Sequence, residues 1–205
     1  MRLFVGITPT AEAISHAAGE VDRIASTTPD VRWIPSQRWH VTLAFLGDVD
    51  ADLVPALATH LDEVAASHAP IEALALTGSG TFPGVLWLGI ADAARPSESA
   101  PGRRFSPEVR LGGLAEDVQR AMPLAGIHLE SRPWRPHLTI GRWRPSPRRE
   151  GAARAAARAL AGYAGPAFDV HEIRLVQSIT GPAPTYRDLH VASLTGTSAQ
   201  GAGTT

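Results

Sequence analysis

Apolar positions along this 205-residue chain switch repeatedly between a spacing of two and a spacing near 3.6, so strands and helices are interleaved from end to end. RLFVGI reads as a strand, and Pro9 or Thr10 opens a helix to about Ala25 with Ile14, Ala17, Ala18, Val21 and Ile24 on one stripe. VRWIP and HVTLAFLG follow as extended segments, closed by Gly47-Asp48. Ala51 or Asp52 then begins a helix to about Ser67, with Leu53, Ala56, Leu57, Leu61 and Val64 at helical spacing. IEALALTGSGTF and VLWLGI are strands, the second apolar enough to be central.

The second half repeats this plan. Residues 92–108 are rich in Pro, Ser and Gly and are expected to form a long surface loop, a candidate boundary or insertion. Leu111 to Met122 is expected to be helical, and GIHLE and HLTIGR are expected to be strands. EGAARAAARALAGY is an alanine-rich helix stopped by Gly162 or Gly165. FDVHEIRLVQSIT and YRDLHVASL close the chain as a strand pair around GPAPT, with residues 195–205 as a flexible tail. Each half therefore contains one strand with the pattern His-x-Thr: His40-Val41-Thr42 and His137-Leu138-Thr139.

On a strand, residues two apart share a face, so each His projects with its Thr while Val41 and Leu138 project the other way. A single His-x-Thr carries almost no information. Two copies 97 positions apart, each in an apolar strand and each followed by an apolar residue and a glycine, form a set of two imidazoles and two hydroxyls. Hydrolysis of a phosphodiester needs such a set. One imidazole deprotonates water, the other protonates the departing oxygen, and hydroxyls donate to the non-bridging oxygens. With a reference pKa of about 6.5, histidine can fill either role near neutrality.

Composition removes rival chemistries. The chain has no cysteine, hence no disulfide framework, thiol nucleophile or thiolate zinc site, which fits a reducing compartment. All 19 cations are arginine. Without lysine there is no lysyl-adenylate, Schiff base or P-loop, which excludes ATP-dependent nucleic-acid ligases and P-loop NTPases. No stretch approaches the roughly 18 apolar residues of a membrane span, and no signal peptide is evident, so a cytoplasmic protein is expected. Charge is uneven: residues 1–91 carry 4 arginines against 10 acids, and residues 92–205 carry 15 against 10. Arg132, Arg135, Arg142, Arg144, Arg148 and Arg149 surround the second signature, raising the potential there for an anion.

These features identify the chain as resembling the 2H phosphoesterases, in particular the bacterial and archaeal RNA 2′,3′-cyclic phosphodiesterases once called 2′-5′ RNA ligases. RLFVGI resembles the family's opening strand, WIPSQRWHVTLAFLGDVD its first motif, GTFPGVLWLGI its Gly-x-Phe-Pro and Trp-x-Gly segment, PHLTIGR its second motif with a terminal Arg, and LVQSITGPAPTYRDL its closing strand pair. Gly6 departs from the usual Ala, and the 92–108 segment, with Arg103 and Arg104, is longer than expected. The resemblance covers residues 1–194 and implies one α+β domain. Its two pseudo-symmetric lobes of antiparallel sheet would flank a central groove, with helices outside.

The reaction this implies is hydrolysis of RNA 2′,3′-cyclic phosphate ends to 2′-phosphomonoesters by a monomer needing neither metal nor cofactor. His40 and His137 would be catalytic, and Thr42, Thr139 and Arg142 would bind the phosphate. Phe45 would contact the substrate, as nucleobases stack on aromatic rings. Trp39, Trp134 and Trp143 also flank the signatures and are each read as core before base-stacking, while Tyr186 is a cleft-edge residue carried over from the closing segment. The sequence does not fix which histidine is the acid; for a 2′-phosphate product we take His40 as the acid and His137 as the base. His16, His60 and His68 are read as solvent-facing, and His128, His171 and His190 as structural. Two alternatives stay open: ATP-independent 2′-5′ end joining, and a module that binds RNA ends without turnover.

Overall fold

A computed structural model of the chain describes residues 1–93, 110–129, 133–179, 181 and 184–197. Nine strands and four α-helices occur among them, in the order β1 (Arg2–Ile7), α1 (Ala11–Ala25), β2 (Arg32–Trp33), β3 (Val41–Asp48), α2 (Val54–Ser67), β4 (Ile71–Phe82), β5 (Val85–Asp92), α3 (Arg110–Ala121), β6 (His137–Arg142), α4 (Pro147–Ala159), β7 (Ala164–Val170), β8 (Glu172–Ile179) and β9 (Thr185–Ser193). Sequence chemistry explains the helix starts. The Thr10 hydroxyl accepts the Ala13 N–H ahead of α1, and Ser146 caps α4 through the Arg149 N–H with Pro147 in the first turn.

The α+β class with antiparallel sheet in two lobes is as expected. The strands follow the order β7-β4-β5-β6-β3-β1-β8-β9, with β2 against β6, and every pairing is antiparallel. The two halves of this path meet where β3 pairs with β6, through the one residue pair Val41 and Leu138 among those described. β3, β1, β8 and β9 lie on one side of this seam; β6, β5, β4 and β7 lie on the other.

The lobes are not the two halves of the chain. β4 and β5, from the first half, join the β6 side, and β8 and β9, from the second half, join the β3 side. Helices cross over too: α1 packs on β7 and β4 beside α4, while α3 packs on β3 beside α2. Each lobe is therefore built from both halves of the sequence. FDVHEIRLVQSIT, read as one strand, is two: β7 ends at Val170, exposed His171 intervenes, and β8 continues in the opposite lobe.

A second correction concerns GIHLE, where Ile127–Leu129 lie outside any strand. Gly126 (φ 81°) ends a 3-10 turn, and the Ile127 N–H bonds the Met122 carbonyl. Ile127 is buried, so its apolar pattern reflects core packing without a strand edge to pair with. Of the 92–108 segment, Asp92 ends β5 and Ala93 bonds back to Ala73; 94–108, with Arg103 and Arg104, lies outside the described residues, as does Arg132. The Thr195 and Gly196 N–H groups bond the Ala65 and His68 carbonyls at the end of α2, and the tail from 198 on is likewise outside them.

The core lies between sheet and helices. Leu3, Val41, Leu43, Leu86, Leu88, Leu138, Leu175, Leu57, Leu61, Leu111 and Leu114 are wholly buried. Since Leu138 sits at the seam, Leu138→Ala is expected to lower unfolding free energy by about 2–5 kcal/mol, read as a reduced urea midpoint at unchanged m-value.

Candidate active site

The seam brings the two signatures together. With Val41 opposite Leu138 in antiparallel register, the next positions outward set His40 against Thr139 and Thr42 against His137. Val41 and Leu138 point into the core, so the four polar side chains occupy the opposite face at the junction of the lobes. Neither threonine hydroxyl bonds another described residue.

Both histidines are held in the same way. His40 Nδ1–H donates to the Arg38 carbonyl (2.9 Å) and His137 Nδ1–H donates to the Arg135 carbonyl (2.7 Å), each two residues upstream. A carbonyl can only accept, so Nδ1 carries the proton and Nε2 is left free for chemistry. Aromatic packing fixes the rings. Phe4 stacks on His40 (4.4 Å between centroids) and Tyr186 meets it edge-on (5.0 Å). Phe82 meets His137 edge-on (5.2 Å) and is itself packed on Trp87. The Trp87 ring lies over Gly80, where a Cβ would fall 2.3 Å from it, so only glycine admits that ring.

Strict alternation would place Phe45 and Arg142 on the core face, away from the histidines. A bulge changes this in both strands. Pairing of β1 with β3 passes from Gly6–Thr42 to Val5–Ala44, skipping Leu43; pairing of β5 with β6 passes from Trp87–Thr139 to Leu86–Gly141, skipping Ile140. Leu43 and Ala44 are consecutively buried, as are Ile140 and Gly141, and the following residues return to the histidine face. Phe45 and Arg142 are thus equivalent positions, five residues after each His. Phe45 is 53% exposed, beside its cross-strand partner Phe4 and under the Arg2 guanidinium (5.1 Å). Gly6, opposite Thr42, lies tight against β3: a Cβ there would lie 2.8 Å from the Val41 carbonyl.

Burial pushes the His40 pKa below its ordinary value, and the positive charges of Arg142, a protonated His137 and Arg38 push it the same way against the Arg38 carbonyl bond. His137 is also lowered, first by burial and then by Arg142, against the Arg135 carbonyl bond. One arginine therefore acts on both imidazoles.

Other residues are redistributed. Trp39 is core, its Nε1–H bonded to the Ile34 carbonyl, and Trp134 is half-buried, donating to the Thr42 carbonyl (2.8 Å) and tying the approach to the second signature onto the first. Trp143 packs against the core. His60 and His68, expected in solvent, are half-buried and paired with Glu63 and Asp117, because the first lies a turn from its acid and the second ends α2 beside α3. His190 bonds Asp62, and exposed His16 bonds the Tyr163 hydroxyl. Sequence reasoning passed over Arg38, Phe4, Phe82 and Trp87. It also missed Arg32, which pairs across from Arg142 on the same face. The repeated Arg two positions before each His was a legible signal; the aromatic partners come from other strands and had none.

A cleft of about 230 Å³ runs from His40 across β1, β8 and β9, lined among others by Thr8, Gln37, Arg38, Arg174, Tyr186 and Asp188. The 2′-5′ RNA ligase superfamily profile matches residues 13–182. The chain belongs to that superfamily. An RNA 2′,3′-cyclic phosphodiesterase of Geobacillus stearothermophilus is 32% identical over 94% of this chain, which spans 57% of that protein's length. Another from Methanothermobacter thermautotrophicus is 25% identical over 95% of this chain and 99% of its own. The solved structure of TT0787 of Thermus thermophilus shares the fold of this superfamily member, with a TM-score of 0.70 and 24% identity over 96% of this chain and 99% of that one. No helix among the described residues is long and apolar enough to cross a membrane.

The electrostatics predict a titration. Each imidazole in the free protein should titrate below pH about 6.5, and in Arg142→Gln both midpoints should rise, since the cation that disfavours each imidazolium is gone. Histidine-resolved NMR titration checks the direction.

Proposed function

We propose that this chain is an RNA 2′,3′-cyclic phosphodiesterase that opens the cyclic phosphate at an RNA 3′ end to a 2′-phosphomonoester by two-histidine general acid–base catalysis without a metal. The observation that carries this reading is the matched pair of Nδ1–H to carbonyl bonds, which leaves two free Nε2 atoms on one face with two unengaged threonine hydroxyls between them. A module that only binds RNA ends has no need of two identically oriented imidazoles.

In this scheme Nε2 of neutral His137 takes a proton from water as its oxygen attacks phosphorus. The bond from phosphorus to the ribose 3′ oxygen breaks, and Nε2–H of protonated His40 delivers its proton to that oxygen. His137 ends protonated and His40 neutral, and exchange with solvent restores both. Thr42, Thr139 and Arg142 donate to the non-bridging oxygens as charge accumulates there. Phe45, exposed on the same face, offers its ring to a nucleobase further along the groove. Water at about 55 M favours hydrolysis over end joining unless a second RNA end is held at high effective concentration. We further propose that the protein works in the cytoplasm as a monomer, with residues 1–194 as the functional unit.

Burial and Arg142 depress both free imidazoles, so the singly protonated pair is most populated on the acid side of pH about 6.5. The bound phosphate anion opposes that shift, so the kcat optimum should lie at higher pH than the kcat/KM optimum. With EDTA present and an RNA ending in a 2′,3′-cyclic phosphate, the wild type should yield a 2′-phosphate. His40→Ala and His137→Ala should each lose about 10²–10⁴-fold in kcat/KM. Undiminished turnover in either variant, or abolition by EDTA, would refute the scheme, and a 3′-phosphate product would reverse the acid and base.

A further inference from the structure

The two sides of the groove differ in chemistry. Beside His137 the sheet face is aromatic, made by Phe82 and Trp87 with the Arg135 guanidinium 5.8 Å from the Phe82 ring. Beside His40 it is a polar cleft with cations and hydrogen-bonding side chains. Within this cleft Arg174 is neutralised by ion pairs to Glu172 and Asp188. Arg38 is not. It has no carboxylate partner among the described residues, and its Nε is buried without an acceptor. Its guanidinium is held over the Tyr186 ring at 5.3 Å, and that ring lies 5.0 Å from the His40 imidazole. Arg38 therefore lines the cleft with its charge uncompensated, and an anion entering there would supply the partner that the described residues do not. Thr8 and Gln37, lining the same cleft, add neutral hydrogen-bonding groups around it.

We propose that Arg38 is an anion site for the phosphodiester immediately upstream of the cyclic phosphate, so that the protein prefers RNA ends over nucleoside 2′,3′-cyclic monophosphates. This rests on the function proposed above. If His40 protonates the 3′ oxygen, the ribose bearing it lies on the His40 side, and the 5′ carbon of that ribose leads the next phosphate into this cleft. A cyclic mononucleotide lacks that phosphate and leaves the Arg38 site empty. Arg135, the equivalent residue of the second signature, lies on the side from which water attacks and has no upstream phosphate to meet.

The test compares kcat/KM for adenosine 2′,3′-cyclic phosphate with that for the dinucleotide ApA ending in a 2′,3′-cyclic phosphate. The wild type should favour the dinucleotide. In Arg38→Gln that preference should fall about 10–100-fold, the effect of one charge-assisted contact. Arg38→Lys should retain part of it, and Arg135→Gln should leave the ratio unchanged. A dinucleotide with a neutral methylphosphonate linkage should lose the preference in the wild type. Equal losses on both substrates in Arg38→Gln, which a merely structural role through His40 would give, would overturn the proposal. So would a ratio that moves with Arg135 instead. Failure of the wild type to open either substrate would instead refute the underlying phosphodiesterase reading.

Discussion

One backbone pairing, Val41 against Leu138, holds the site together. It joins the four strands on the β3 side of the sheet to the five on the β6 side, and it does so where the two signatures begin. Both residues are wholly buried, so hydrophobic packing beneath the seam fixes the register above it. A slip of one residue in either strand would turn its histidine and threonine into the core. The antiparallel sense also crosses the signatures, placing the histidine of one beside the threonine of the other. A phosphate between the imidazoles would then meet a hydroxyl from each lobe.

The second constraint is the bulge repeated in β3 and β6. Skipping Leu43 and Ile140 adds one residue to each strand relative to its partner and reverses the alternation beyond it. The consequence is chemical as well as geometric. Arg142 joins the histidine face, and its charge depresses both imidazoles. Its equivalent in the other lobe is the neutral Phe45. Two backbones of the same plan thus present an electrostatically unequal pair of positions, and the positive charge leans toward the second signature.

Exchange of elements between the lobes explains why the seam can be so short. Each lobe takes strands and a covering helix from the opposite half of the chain, so the lobes are laced together covalently as well as through the core. The connections cross the junction repeatedly, and little direct pairing is needed there. Trp134 reinforces this by bridging from the segment before the second signature to the Thr42 carbonyl.

Local pattern by itself determined much of this protein. The alternation around residues 40–42 and 137–139 put His with Thr on one face, helical spacing located α1, α2, α3 and α4, and the absence of lysine and cysteine removed covalent alternatives. These are properties of neighbours in the chain, set by side-chain period and by which groups exist at all. Tertiary structure alone decided how the elements combine: the break of one apolar run at His171 into strands of different lobes, the failure of residues 127–129 to form a strand, and the aromatic partners Phe4, Tyr186 and Phe82 around the imidazoles. Pairing partners are chosen by long-range packing, and a bulge exists only relative to a partner strand. Phe45 and Arg142 therefore belong to the histidine face for a reason that a single strand, read alone, does not contain.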